Sequence, residues 1–217
     1  MAAVLVTAGP TREHIDDVRF LANGSTGRMG FAIAAAAHGR GHEVQLVAGP
    51  THLEPPAGVH VHRVVSALEM QAEAERLYPA TDLVFGVAAV SDYRPARRMA
   101  GKPAKSEDST VLHLTANPDI IASIGARKGD RVVVGFALQV VGKGGMEGVM
   151  ERAREKLVAK ELDLIVVNLA DAMGAEQSEV VLLWADGTVE HLPCQSKEAT
   201  AGHIVDAAIG LLRGGRK

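Results

Sequence analysis

The sequence predicts a three-layer, Rossmann-like α/β sandwich with a mainly parallel sheet, a C-terminal hairpin and an extended arm. Short apolar runs alternate with helical patterns along the 217 residues, and this alternation requires parallel strands joined by right-handed crossovers. Aromatic residues make up only 3% of the chain, so aliphatic side chains must fill the core, as is common in parallel sheets. We expect a single domain over residues 1–217.

The first half of the chain supplies strand and helix candidates in alternating order. The strand candidates are short apolar or alternating runs, two of them closed by Gly-Pro turns. The first helix is rich in Ala and is stopped by glycines. The predicted elements are strand Ala3–Thr7, helix Met29–His38, strands Glu43–Ala48 and Val59–Val64, helix Ala67–Leu77 and strand Asp82–Val90.

The alternation of strand and helix patterns is interrupted between Tyr93 and Ser109. This segment is rich in Arg, Lys, Pro and Ser and has no periodicity. Loops of this length in compact domains are usually functional or disordered. Residues 93–110 are therefore expected to form an exposed arm.

The second half of the chain repeats the alternation and closes with a hairpin. Asn117 is expected to cap a helix with Pro118 at its first position. Ala185-Asp186-Gly187 is a turn signal between two strand candidates. The other predicted elements are strands Val111–Thr115, Val132–Leu138 and Asp163–Asn168, helix Glu147–Glu161, hairpin strands Glu179–Trp184 and Thr188–Leu192, and helix Ser196–Leu212.

Charge and cysteine content exclude several classes of protein. With 23 Lys and Arg against 26 Asp and Glu, the chain lacks the basic excess of a general nucleic-acid binder. No apolar run approaches the roughly 20 residues of a membrane helix, and the N-terminus does not match a signal peptide. The single cysteine, Cys194, cannot form an internal disulfide, which favours a cytoplasmic location. Cys194 is expected to lie away from the carboxyl-end rim of the sheet, so it is not a candidate nucleophile.

Ligands of parallel sheets bind outside the carboxyl ends of the strands. The segments expected at that edge are Thr7–Glu13, Gly49–Thr51, Val90–Arg94, Leu138–Val140 and Asn168.

Gly24, Gly27 and Gly30 precede the first helix with a Gly-x-x-Gly-x-x-Gly spacing. They either expose the helix N-terminus to an anion or serve a tight turn and close packing. Asn23 either hydrogen-bonds a polarised carbonyl or caps a turn. Asp92 either meets a ribose hydroxyl or a metal ion or caps its own turn.

The candidate lysines can also be interpreted as ordinary surface residues. Lys102 and Lys105 lie in the arm, where they either close over phosphates or remain solvated. Lys156 and Lys160 form an i, i+4 pair that also fits a salt-bridged helix surface. His60 and His62 share a strand face without a third ligand nearby, so no metal ligands are identified.

Several segments together resemble the phosphopantothenate–cysteine ligase family, also called phosphopantothenoylcysteine synthetase, of coenzyme A biosynthesis. They occur in the family's order and spacing and span most of the chain. These segments are Thr7–Gly30, Gly86–Ala96, Gly101–Lys105, Ala116–Ile121, Val133–Ala137 and Ala153–Asn168.

The resemblance implies a ligase that joins 4′-phosphopantothenate and cysteine through an acyl nucleotide. A nucleoside triphosphate, with CTP favoured over ATP, activates the carboxylate, and the amine of cysteine then attacks. The resemblance further implies Mg²⁺, a homodimer and a possible separate decarboxylase chain. No flavin is expected, because the chain begins directly at the ligase-like first strand.

The resemblance also implies roles for individual residues. Asn23 matches the asparagine that stabilises the acyl nucleotide, Lys102 matches the arm lysine on the triphosphate, and Arg19 matches an arginine that reaches the substrate phosphate of the neighbouring subunit. Ala88, Ala89 and Asp92 also match positions around the pantothenate. The nucleotide-binding matches are Gly86, Val87, Ala88, Asp92, Pro118, Asp119, Ile120, Ile121, Phe136, Lys156 and Lys160.

The chain departs from the family pattern at several points. The usual Gly-Gly-Thr opening is Gly9-Pro10-Thr11, Arg28 stands where a lysine is usual, the arm has fewer lysines, and Gln139 replaces a glutamate. A non-catalytic nucleotide- or substrate-binding partner subunit is one alternative. An NAD(P)-linked Rossmann oxidoreductase is another, although the Gly-x-Gly-x-x-Gly fingerprint and a Tyr-x-x-x-Lys pair are both missing.

Overall fold

A computed structural model describes residues 1–102, 104, 110–139, 145–169 and 177–214. The strands are β1 (Ala3–Ala8), β2 (Arg12–His14), β3 (Phe20–Ala22), β4 (Glu43–Ala48), β5 (His60–Arg63), β6 (Leu83–Gly86), β7 (Tyr93–Pro95), β8 (Leu114–Ala116), β9 (Val132–Gln139), β10 (Leu164–Leu169), β11 (Gln177–Trp184) and β12 (Val189–Ser196). The helices are α1 (Arg28–Gly39), α2 (Ala67–Leu77), α3 (Ile120–Gly125), α4 (Gly145–Ala159) and α5 (Lys197–Gly214).

The central sheet has eight strands in the order β12-β11-β10-β9-β6-β1-β4-β5. The strands from β10 to β5 are parallel, and the hairpin of β11 and β12 adds two antiparallel ladders at one edge. From β1 the chain builds outward to β5 and then returns to place β6 on the other side of β1. The crevice between β1 and β6 is thus a topological switch point, where ligands of open α/β sheets bind.

Helices cover both faces of the sheet and complete the expected three layers. Val4 and Val6 of β1 pack in a core cluster that contains Ile33 of α1 and Ile204 of α5. Leu5 points to the opposite face, where its cluster contains residues of α2, α3 and α4. This alternation follows from the two-residue period of a strand that is buried on both faces.

Several predicted boundaries were wrong. The strand expected over Val111–Thr115 spans only Leu114–Ala116. The strand expected over Asp82–Val90 ends at Gly86. The chain beyond it stays beside the end of β1, since the N–H of Val87 bonds to the Thr7 carbonyl and that of Ala89 to the Gly9 carbonyl. The cap of α3 is Asp119, whose side chain accepts the N–H of Ala122 at 3.1 Å, so Pro118 precedes the helix.

Two small antiparallel ladders were not predicted. β2 pairs with β3, and β7 pairs with β8 at the base of the arm. The arm is therefore anchored by a short ribbon rather than being irregular throughout. Lys105 and Val140 lie outside the described residues. In the part of the chain that is described, no helix is long and apolar enough to cross a membrane.

Candidate functional site

A cleft of about 760 Å³ opens at the carboxyl edge of the sheet, between β1 and β6. The Gly24–Gly30 turn, the Gly86–Asp92 turn and the start of α3 form its walls, and the ends of β9 and β10 close one side. The cleft therefore occupies the switch point that the topology defines. The predicted site residues that line it are Asn23, Gly86, Val87, Ala88, Ala89, Asp92, Pro118, Asp119, Ile120, Ile121, Phe136 and Lys160.

The glycine turn brings the N-terminus of α1 against the first strand. Gly27 caps the helix with φ +80°, and no side chain caps it. A Cβ on Gly30 would lie 2.5 Å from the Cβ of Ala8, so only glycine allows this approach. The structure thus shows the tight turn and the close packing. The anion site at the start of α1, which lines the cleft, stays a prediction.

Asn23 connects the two glycine-containing walls of the cleft. Its side-chain amide donates to the carbonyl of Val90 at 3.0 Å and to that of Ala89 at 3.4 Å. The residue therefore holds the turn after β6 and presents its amide at the rim.

The turn after β6 is held by a second set of hydrogen bonds. Thr11 Oγ1 accepts the N–H of Ser91 at 3.0 Å, and the Asn117 amide donates to the Ser91 carbonyl at 2.8 Å. Arg94 donates to Asn117 Oδ1 at 2.9 Å. The exposed Asp92 stands at the rim of this fixed turn.

Opposite this turn, α3 supplies an apolar and a charged contact. A Cβ on Gly86 would lie 2.7 Å from the Cδ1 of Ile121, so the Ile121 side chain lies directly over Gly86. Asp119 forms an ion pair with Lys160, with 2.8 Å between Lys160 Nζ and Asp119 Oδ2. Lys160 thus reaches the cleft, whereas the exposed Lys156 does not line it.

The expected edge segments divide between two cavities. Arg12, His14 and Gly49–Thr51 line a separate cavity of about 400 Å³ together with Arg63. Thr7 lies in the main cleft. The expected edge segments therefore line two cavities rather than one.

Arg19 and Lys102 also lie outside the lining of the main cleft. Arg19 is ion-paired at 2.6 Å with the buried Asp16. The backbone N–H of Arg19, with that of Val18 and the Arg19 guanidinium, lowers the pKa of Asp16 to about 2. The start of the arm joins the same loop, since the N–H of Gly101 donates to Asp17 at 2.8 Å.

Arg28 and Lys197 also line the cleft, although the sequence predicted no role for either. The hairpin topology contained a signal for Lys197. Because β11 is antiparallel to β10 and β12 is antiparallel to β11, β12 ends at the carboxyl edge of the parallel strands. Lys197 follows β12 directly, and Cys194, expected away from this rim, lies close to that edge as an exposed residue outside the cleft lining.

Among the described residues, no three His, Cys, Asp or Glu side chains form a group that could hold a metal ion. His62 instead bonds to Gln45 at 2.7 Å and to Glu73 at 2.7 Å. It is a half-buried strand residue.

Residues 1–211 match the family model described as the DNA/pantothenate metabolism flavoprotein C-terminal domain. The Coenzyme A biosynthesis bifunctional protein CoaBC of Vibrio cholerae is 40% identical over 209 residues, which cover 93% of this chain and 51% of that protein. The protein of the same name from Bacillus subtilis is 39% identical over 199 residues, which cover 89% of this chain and 48% of the Bacillus subtilis protein. The chain thus spans about half the length of the curated relatives it matches.

Solved structures give the same fold over nearly the whole chain. The C-terminal domain of a CoaBC protein superposes with a TM-score of 0.84 at 36% identity, covering 99% of this chain and 97% of that domain. A Cab2 mutant in complex with phosphopantothenate-cysteine superposes with a TM-score of 0.81 at 15% identity, covering 98% and 87% of the two chains. The second likeness concerns the fold alone.

Proposed function

The chain belongs to the DNA/pantothenate metabolism flavoprotein C-terminal domain family, and from this membership we propose that it is a phosphopantothenate–cysteine ligase of coenzyme A biosynthesis. The observation that carries the proposal is the cleft that brings Asn23, the start of α1 and the Gly86–Asp92 turn together at the switch point. A relative named for coenzyme A biosynthesis covers 93% of the chain.

The reaction has two steps. A carboxylate oxygen of 4′-phosphopantothenate attacks the α-phosphorus of CTP, the new P–O bond forms and pyrophosphate leaves with the electrons of the broken bond. The amine of cysteine then attacks the acyl carbon, the amide forms, a proton is lost from nitrogen and the nucleoside monophosphate leaves. Activation by a nucleotide needs no redox cofactor, so the proposal includes no flavin.

The walls of the cleft offer a group for each demand of this chemistry. The N-terminus of α1 favours the phosphates, and Asp92 offers a carboxylate to a ribose hydroxyl. Ile121 and Phe136 provide apolar surface for the base, beside the Asp119–Lys160 ion pair. Asn23 keeps its 3.0 Å bond to the Val90 carbonyl for orientation, and its second N–H donates to the acyl oxygen in place of the weaker 3.4 Å contact with the Ala89 carbonyl.

The donor groups fit Mg²⁺ that is bound mainly through the nucleotide. Mg²⁺ in nucleotide sites uses one or two carboxylates, substrate phosphates and water. Asp92 at the rim is such a carboxylate, while Asp119 already holds Lys160. When bound, the ion would offset negative charge on the phosphates.

We further propose a cytoplasmic homodimer that places Arg19 at the partner's substrate phosphate, with Lys102 of the arm on the triphosphate. Apolar side chains on and beside the two small ladders support an interface there: Val18, Phe20, Tyr93 and Leu114 are all exposed. Such exposed apolar surface marks interaction sites. Association with a separate decarboxylase chain is a further proposal, supported by the relatives' description as bifunctional.

One assay separates this proposal from its alternatives. Pyrophosphate should be released only when CTP and phosphopantothenate are both present, and phosphopantothenoylcysteine should form only after cysteine is added. A non-catalytic partner subunit would bind ligands without releasing pyrophosphate. An oxidoreductase would oxidise or reduce a nicotinamide cofactor instead. Repeating the assay with ATP tests the preference for CTP.

A further inference from the structure

Lys197 is a buried lysine in the wall of the main cleft. It is the first residue of α5, and only 7% of its surface is exposed. Its side chain makes no hydrogen bond or ion pair with the residues that the structure describes. Lysine is rarely buried without a partner, because removing an ammonium from water is costly unless a counter-charge replaces the water.

Among the residues that the structure describes, none forms an ion pair that would supply that counter-charge. Burial lowers the pKa of Lys197, and the positive charge of Arg28 lowers it further, whereas the exposed Glu198 acts in the opposite direction. Arg28 begins α1, whose first turn contains no acidic residue. Two cations and the positive end of α1 therefore meet in this part of the cleft.

We propose that Lys197 and Arg28 bind the polyphosphate of the nucleotide where it lies at the N-terminus of α1. An anion there would give the buried ammonium its missing partner and relieve its repulsion with Arg28. It would also satisfy the uncapped start of α1. A phosphate chain suits the site better than one carboxylate, since it offers oxygens to all three groups at once. The identity of the anion rests on the proposed function; the presence of an anion site does not.

The test compares Lys197→Met with Lys197→Arg and with Arg154→Met as a matched control. Methionine keeps an unbranched side chain without the charge, and Arg154 is an exposed cation of α4 outside the cleft. Binding of inorganic tripolyphosphate, CTP and cytidine is measured by calorimetry. Lys197→Met should bind tripolyphosphate and CTP about tenfold more weakly or worse, the loss expected for a charge-assisted hydrogen bond.

Cytidine lacks phosphate, so its affinity should be unchanged in Lys197→Met. Lys197→Arg should retain most of the tripolyphosphate affinity, and Arg154→Met all of it. Without ligand, the Tm of Lys197→Met should equal or exceed that of the wild type, because the substitution removes a buried charge that has no partner among the described residues. Folding is thereby checked in the same variant.

Equal tripolyphosphate and CTP affinity in Lys197→Met and wild type would overturn the proposal. So would a variant that binds both normally but loses only the cysteine step, since Lys197 would then act on the amine. If binding depends on Lys197 but the wild type makes no phosphopantothenoylcysteine, the proposed function fails and the anion site stands.

Discussion

The side-chain amide of Asn23 donates to the main-chain carbonyl of Val90 at 3.0 Å, although the two residues are 67 positions apart in the chain. The bond joins the glycine turn before α1 to the turn after β6, the two walls that face each other across the switch point. An asparagine is suited to this position because its amide offers two N–H donors. One can hold the wall while the other meets a developing oxyanion.

Asn23→Asp should lower turnover by about 10²-fold or more, because a carboxylate cannot donate and repels the negative charge that develops on the acyl oxygen. Nucleotide binding should survive. Steady-state turnover and CTP titration of the same preparation measure the two effects. Loss of nucleotide binding together with turnover would make Asn23 a structural turn residue only.

Gly86→Ala should weaken nucleotide binding by moving Ile121. The new Cβ would lie 2.7 Å from Ile121 Cδ1 and 2.8 Å from its Cγ1, and such overpacking costs about 1–3 kcal/mol of stability. Combining Gly86→Ala with Ile121→Ala should restore part of that loss, giving a coupling of about 0.5–3 kcal/mol between contacting residues. Urea unfolding and CTP titration measure both effects.

Gly39→Ala is the matched control for this pair. A Cβ at Gly39 meets nothing within 4 Å, and alanine in a helix is about 0.5–1 kcal/mol better than glycine. The control should therefore be at least as stable as the wild type. Strictly additive effects of Gly86→Ala and Ile121→Ala would contradict the contact.

The sequence predicted the regular elements well where burial imposes a period. Glu43–Ala48 and Ala67–Leu77 were predicted with the bounds that the structure has, because strand and helix periods differ over six or more residues. β2, β3 and β7 have three residues each, too few to show a period. Their pairing depends on partners that local sequence does not reveal.

The residues of the candidate site also differ in how far local sequence could predict their positions. Asp92 was expected at the carboxyl edge because it follows a buried strand, and it lines the cleft. Gly86, predicted in the middle of that strand, was singled out only by the family resemblance. Lys197 was missed because its place at the cleft depends on the antiparallel strands β11 and β12, which bring the start of α5 to the carboxyl edge of the sheet. In the local sequence, Lys197 is only a polar residue at the start of a predicted helix. Arg19 and Lys102 lie on a loop and an arm, so their positions relative to a cleft depend on tertiary or subunit contacts.

Below about pH 6.5, His42 should make the fold less stable. Burial, followed by nearby positive charges including Arg213 and Arg40, lowers the pKa of His42. Its Nδ1 accepts the N–H of Ala2 at 3.1 Å, which requires the neutral ring at that atom. As the pH falls below the unfolded-state pKa of about 6.5, the unfolded chain takes up a proton that the folded chain resists, so stability declines.

His42→Asn should reduce that decline, since the asparagine oxygen can accept the same N–H and does not titrate. Urea unfolding at pH 7.5 and pH 5 measures it. Between pH 7.5 and pH 5, the free energy of unfolding should fall less in His42→Asn than in the wild type. A difference that is the same at both pH values would show that His42 does not contribute to acid sensitivity.

Lys102→Gln should slow activation while leaving the free energy of unfolding within about 0.5 kcal/mol of the wild type, as expected at an exposed position. Its neighbour Gly101 keeps the main-chain bond to Asp17, so the start of the arm should be unaffected. Pyrophosphate release and urea unfolding measure the two quantities. Wild-type turnover in the variant would return Lys102 to an ordinary solvated surface lysine.

The last prediction is that Arg19 serves the cleft of the partner subunit. Arg19 lies outside the cleft that Asn23 of the same chain lines, and a guanidinium suits a phosphate monoester. Arg19→Ala and Asn23→Asp should each be nearly inactive alone. In a mixed dimer, the subunit that keeps Asn23 receives Arg19 from its partner. Equal amounts re-pair to about half mixed dimers, each with one restored site, so about one quarter of wild-type activity should return.

Lys102→Gln mixed with Asn23→Asp is the control for this experiment. Lys102 is expected to act within its own chain, so every subunit of that mixture lacks one of the two groups and no activity should return. Recovery there would show that the arm also reaches the partner's cleft, together with the loop that Gly101 binds through Asp17. If Arg19→Ala and Asn23→Asp stay inactive together after confirmed subunit exchange, Arg19 does not act across the dimer.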